Sequence, residues 1–363
     1  MGKKKAWTRF LVSTLVILIA APAITQKELE KPESLDKFNC VLCLAGHHPA
    51  GMSLSAGFNY ELIRLYGKHL AARPSVFSSA SPDSVIKYIL RDSVRIAVLP
   101  YSDSLASSER LVCSEVLPDS TVWVTDTNNE LLVRSFDKWM KTFSGTESYR
   151  RLKARFALSY EPYGRVASGK EFDAAGPYDD IVRRCAAQIG WDWRLLDALI
   201  WQESKFRIDA VNPSGAEGLL QMLPSTARRF GNDDMLDPER NIETGTAYIA
   251  RIEAILKDYC DSDELVKFTL AAYVAGEGRV LDCIRYARGK GMAHATWNDL
   301  VNVMDTLRLD SDPGKDSLLV YGGIRGMETR GYVDAVYSLY DAFKIISPAR
   351  SSQDPPAKHT ATE

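Results

Sequence analysis

The stretch Ala198-Leu-Ile-Trp-Gln-Glu203-Ser204-Lys-Phe206-Arg-Ile-Asp-Ala210-Val-Asn-Pro-Ser214-Gly215-Ala216-Glu-Gly218-Leu-Leu-Gln221-Met222 decides how this chain folds and where its chemistry lies. Apolar residues recur at helical spacing from Arg194, and the run ends near Phe206. Glu203 therefore falls in the last turn of a helix. The negative end of the helix dipole opposes a carboxylate there and favours its protonated form. Trp201 and Phe206 bring apolar surface close in sequence, and burial raises a carboxyl pKa further. A carboxyl that keeps its proton near neutral pH is what a general acid requires. Just beyond, Gly215 and Gly218 permit a tight turn and close approach of backbone to a ligand.

A single glutamate near a helix end is ordinarily a solvated charge, but the company of Glu203 is unusual. Glu203-Ser204-x-Phe206, then Ala210, then Ser214-Gly215-Ala216-x-Gly218-Leu219-x-Gln221 resembles the first motif of the soluble-lytic-transglycosylase family of lysozyme-like domains. Pro224, Thr226 and Ala227 continue the resemblance. Three further stretches follow in the family's order. They are Asp237-Pro238 with Asn241-Ile242-x-x-Gly245, then Ala271-Ala272-Tyr273-Val274-Ala275-Gly276-x-Gly278, then Glu328-Thr329-Arg330-Gly331-Tyr332-Val333. The resemblance implies a peptidoglycan lyase that cuts the β-1,4 bond between N-acetylmuramic acid and N-acetylglucosamine. It implies Glu203 as the single catalytic acid and base. Ser204 and Gln221 are then expected to orient Glu203 or the sugar acetamido group, and Tyr273 and Tyr332 to line the sugar cleft. No metal or cofactor is expected. Val274 departs from the family's Asn and removes whatever polar contact that side chain makes.

Working outward, the pattern after Gly176 is helical throughout, with periodic runs at 178–189, 194–206, 225–230, 239–259, 263–275 and 280–287. Before Tyr160 it alternates. Strands are expected at 38–45, 74–78, 94–99 and 121–125, and helices at 58–70, 82–90, 131–143 and 147–156, which reads as a parallel, layered α/β unit. The Gly- and Pro-bearing stretch 160–176 reads as the boundary between the two. The expected fold is thus α+β overall: an N-terminal α/β lobe at 37–160, then an all-α lysozyme-like transglycosylase domain at 177–346, with a disordered tail at 347–363.

Gly57-Phe58-Asn59-Tyr60-Glu61-Leu62, Ser108-Glu109-Arg110 and the helices at 136–156 resemble periplasmic solute-binding proteins. In front of the helical domain they give an arrangement similar to the membrane-bound lytic transglycosylase F family. The stretch 37–160 is too short for two lobes, so the expectation is a truncated solute-binding-like module that serves as a scaffold or docks envelope protein partners.

Lys3, Lys4, Lys5 and Arg9, the apolar run 11–21 and Ala21-Pro22-Ala23 form a secretory signal layout at 1–26, with an uncleaved anchor as the alternative. This layout implies export, and the resemblance implies a place in the periplasm peripheral to the outer membrane. A formal net charge of −2 announces no nucleic-acid partner; the resemblance implies peptidoglycan as the partner. Cys40-x-x-Cys43 with His47 and His48 has metal-like spacing, but residues three apart on a strand face opposite sides. Two other functions stay open: a hydrolytic muramidase of the same fold, and a catalytically weak peptidoglycan-binding or sensory protein.

Overall fold

The computed structural model describes residues 36–43, 54, 56–79, 81–157, 161–169, 175–307 and 316–348. The signal layout, His47, His48 and the tail beyond 348 lie outside the described residues.

The N-terminal part is built on a five-stranded sheet of order β2-β1-β3-β5-β4. Its strands are β1 (Lys37–Cys43), β2 (Arg73–Ser79), β3 (Ile96–Pro100), β4 (Leu111–Cys113) and β5 (Thr121–Asp126). Helices α1 (Gly57–Leu70) and α2 (Pro82–Leu90) cross between the parallel strands, and α3 (Asp103–Ala106) precedes β4. Ser81 caps α2 by accepting from the Ser84 amide, with Pro82 in the first turn. Side chains alternate across the sheet with the period of two that a strand imposes. Phe38, Cys40, Leu42, Ile96, Val98 and Trp123 face one core, while Val41, Cys43, Ala97, Leu99, Val122 and Val124 face the other with Val85 and Ile89 of α2. Cys40 and Cys43 thus lie on opposite faces.

The sheet corrects the expectation of an all-parallel unit. β1 pairs in parallel with β2 and β3, but β5 runs antiparallel to both β3 and β4. The turn from β4 into β5 is closed by Leu117 N–H to Thr121 O and Ser120 N–H to Leu117 O, at 2.8 and 2.9 Å. So short a connection cannot hold the crossover that parallel pairing demands.

Helices α4 (Glu130–Phe143) and α5 (Glu147–Arg155) follow the sheet, and α6 (Pro162–Ala167) lies inside the stretch read as a boundary loop. Glu161 caps α6 with Pro162 at its first position, and the Tyr163 hydroxyl lies 3.2 Å from that of Ser338. The remaining helices are α7 (Asp179–Ile189), α8 (Trp193–Ser204), α9 (Pro224–Arg229), α10 (Pro238–Leu256), α11 (Leu265–Ala275), α12 (Glu277–Lys290), α13 (Trp297–Thr306) and α14 (Gly326–Ile346). Helices α13 and α14 were not anticipated, although α14 is the longest element and packs along α8. The sheet-bearing part touches the helices directly: the Tyr60 hydroxyl donates to Asp237 Oδ2 at 2.7 Å, and Arg155 donates to the Pro177 carbonyl. One apolar core runs from a face of the sheet into the helices.

Candidate active site

Glu203 occupies the last turn of α8. Asp192 opens that helix by accepting from the Arg194 amide, and Lys205 and Phe206, both at positive φ (54° and 60°), stop it abruptly. The Phe206 ring then packs against Trp201, with ring centres 5.6 Å apart. Glu203 keeps a partial opening to solvent, yet protein crowds its carboxyl. Burial raises its pKa from an ordinary 4.5 to about 7, partly offset by the hydroxyl of Tyr332, which donates to Oε1. The raised carboxyl pKa expected from sequence is present, and burial leads its causes.

The chain after α8 folds into a loop held by hydrogen bonds of its own and by bonds to neighbouring helices. Asn212 Oδ1 accepts from the amides of Ser214 and Ala216, at 2.9 and 3.0 Å. Gly215 and Gly218 take positive φ, 79° and 76°, as the turn requires. At Gly218 the close approach is to the protein rather than to a ligand. A Cβ there would lie 2.1 Å from Asn241 Nδ2 and 2.5 Å from the Met235 carbonyl. Asn241 is fully buried, accepts from the Leu220 amide at 2.9 Å and donates to the Met235 carbonyl at 3.0 Å. It locks the loop onto α10. Asn241 belongs to the Asp237–Gly245 motif, but nothing in its spacing distinguishes it from a solvated helix residue.

Of the five expected site residues, the structure brings Tyr332 onto Glu203, and it buries Tyr273, whose hydroxyl pKa is pushed well up by that burial first and by the nearby Glu203 charge second. The Tyr273 hydroxyl donates to the Leu220 carbonyl at 2.6 Å, and its ring packs against Tyr248 at 5.6 Å. Tyr273 thus braces the loop as much as it lines anything. Gln221 donates through Nε2 to the carbonyls of Ala210 and Gly218, both at 3.0 Å, and itself sits at φ 43°. Its amide nitrogen closes the loop. Ser204 departs from expectation: it is buried, and its hydroxyl turns back to the Ile200 carbonyl at 3.1 Å. That is the back-bond a serine makes inside its own helix, and it is not directed at Glu203. Val274 is 43% exposed, on the outer side of α11.

A buried acid at a helix end, a tyrosine bonded to it and a braced loop beside it all lie on or against residues matched by a known family. Residues 180–295 match the transglycosylase SLT domain. Tyr332 lies beyond the matched residues. The chain is similar to the protein named membrane-bound lytic murein transglycosylase F from Maricaulis maris, at 36% identity over 156 residues, covering 43% of this chain and 34% of that one. The protein of the same name from Photobacterium profundum is 33% identical over 321 residues, covering 83% of this chain and 60% of the relative. The chain therefore spans between about a third and three-fifths of the length of these two relatives. Among solved structures, the 70 kDa soluble lytic transglycosylase from Escherichia coli aligns over 64% of this chain and 35% of its own, at 21% identity and a TM-score of 0.36.

Proposed function

We propose that this protein is a peptidoglycan lytic transglycosylase and that Glu203 carries both proton transfers. The observation behind the reading is a carboxyl held at a pKa of about 7 by burial, open to solvent on one side and bonded to a tyrosine. Such a group is protonated often enough to act as an acid and ionised readily enough to act next as a base. The Glu203 proton passes to the glycosidic oxygen as the bond from muramic-acid C1 breaks. The substrate's acetamido group stabilises the cation that develops at C1. Ionised Glu203 then takes the proton of the muramic-acid 6-hydroxyl, O6 bonds to C1, and a 1,6-anhydro ring closes without water. Tyr332 donates to the carboxylate in the ionised interval, when a charge-assisted bond is strongest. Tyr273 and Gln221 hold the loop from 207 to 222 against the acid.

In this reading residues 177–346 form a lysozyme-like domain and 37–160 a truncated solute-binding-like scaffold, with peptidoglycan strands as the substrate and envelope proteins as candidate partners of the scaffold. Export to the periplasm, at the outer membrane, fits relatives named membrane-bound. Among the described residues no helix is long and apolar enough to cross a membrane. The test is mass analysis of the products from purified sacculi. 1,6-Anhydromuramic acid ends are expected; only reducing-end muramic acid would replace the lyase reading with a hydrolytic muramidase, and no release of either would leave a binding or sensory protein. Glu203→Gln should abolish release.

A further inference from the structure

The segment 316–324 is knitted onto α12 far more firmly than its exposed side chains need. Asp282 of α12 is fully buried, and its Oδ2 accepts from three successive amides, those of Val320, Tyr321 and Gly322, at 2.8, 2.5 and 3.0 Å. Its other oxygen accepts from Arg285, which also donates to the Leu318 carbonyl at 3.2 Å. Leu318 seats on Gly289, and Lys290 pairs with Asp316 at 3.1 Å. A buried carboxylate costs free energy unless fully bonded, and here its bonds fix one short backbone stretch. That stretch displays Tyr321 at 62% exposure and Val320 at 70%.

The Tyr321 ring is seated on Gly278. A Cβ at Gly278 would fall 2.6 to 2.8 Å from three atoms of the ring, so only a glycine leaves room for it. Gly278 closes the stretch Tyr273-Val274-Ala275-Gly276-Glu277-Gly278. It lies five residues past the tyrosine that braces the Glu203 loop, which bounds the separation at about 18 Å of chain. One ring face is thus supported from below, and the residue is otherwise open to solvent, against the helix whose start follows Tyr273 by a few residues. A tyrosine offers a large flat apolar face at little cost in conformational freedom. The apolar C–H faces of pyranose rings are the matching chemistry, and a glycan strand extends past the bond being cut.

We propose that Tyr321 is a glycan-binding platform, its ring stacking on a sugar of the strand away from the scissile bond. This rests on the transglycosylase reading above. Tyr321 is a specificity-determining residue for strand length and takes no part in the proton transfers. The support from Asp282 and Gly278 is what keeps the ring in place between turnovers.

The experiment measures binding to glycan strands freed of their peptides, in the full chain carrying Glu203→Gln so that nothing is cut. Tyr321→Ala should weaken binding of long strands by about two- to tenfold, the range of a single aromatic contact. Tyr321→Phe should recover the loss, because the ring and not the hydroxyl makes the contact. Gly278→Ala should reproduce the loss by displacing the ring. In the otherwise unchanged enzyme, Tyr321→Ala should raise KM on long strands with kcat little altered. If Tyr321→Ala binds strands as tightly as its parent, the platform is refuted and the transglycosylase reading stands. If the parent itself binds no strands, both fail together.

Discussion

Replacing Glu203 by Gln should stabilise the fold above neutral pH while removing activity. Burial raises the Glu203 pKa from an ordinary 4.5 to about 7, so the folded state favours the protonated acid relative to the unfolded chain. The contribution of this group to stability is fully present below about pH 4.5. It is lost progressively as pH rises from there through about 7, because the unfolded chain ionises first. At 1.36 kcal/mol per pH unit, the span amounts to about 3 kcal/mol at pH 8. A glutamine has the same shape, never ionises, and can still accept from Tyr332. The variant should therefore melt with the wild type at pH 4 and above it at pH 8, by up to about 3 kcal/mol, which is several degrees for a domain of this size. Paired urea or thermal melts at the two pH values make the comparison. A difference that does not change with pH, or a glutamine variant weaker at both, would refute burial as the source of the raised pKa. It would also remove the main support for Glu203 as the acid.

Tyr332→Phe removes the one group that lowers the Glu203 pKa, so the alkaline limb of kcat/KM should move up by about one to two pH units; a limb that stays put or moves down contradicts the bond. Tyr273→Phe leaves the Leu220 carbonyl without its donor, and denaturant melts should show a loss of about 1–3 kcal/mol. Val274 is exposed, so Val274→Asn should leave the melting temperature unchanged and raise kcat/KM by about two- to tenfold if the amide regains a sugar contact. A clear drop in melting temperature would instead show that Val274 is packed.

What the sequence made legible was local. The stop of α8 at Lys205–Phe206, the acid one turn earlier and the glycine turn after it follow from neighbours within twenty residues, and all are present. The antiparallel β5 was not foreseen because direction depends on where a strand returns, which its own alternation does not encode. Helix α14 escaped notice for a related reason. It starts without a capping side chain and carries Gly326 and Gly331, residues that weaken a helix on its own. Packing supplies what propensity lacks: Gly326 lies against the backbone of Met304, where a Cβ would crowd atoms at 3.0 to 3.1 Å. The opening of α13 was there to be read, since Thr296 and Asp299 form a reciprocal cap, but with Asp in place of the usual Glu or Gln. Side-chain direction was the least legible. Ser204 adjoins the acid in sequence yet bonds backward into its own helix, while Tyr332, 129 residues away, reaches the carboxyl.

That contrast bears on how one carboxylate could serve twice, as proposed for Glu203. An acid that must also be a base has to be nearly balanced between its two states, and a second carboxylate nearby would upset the balance by repulsion. Here two opposed influences act on Glu203: burial raises its pKa, and the Tyr332 hydroxyl lowers it. Neither is a charge on a neighbouring group, so neither depends on an ion pair that salt would screen. The key joints of the surrounding frame are likewise hydrogen bonds between uncharged groups. Tyr273 bonds the Leu220 carbonyl, Asn241 the Leu220 amide, and Gln221 the carbonyls of Ala210 and Gly218. A loop held through its backbone keeps its place whichever state Glu203 occupies. In the proposed mechanism Glu203 then changes protonation twice in a turnover without its walls having to move.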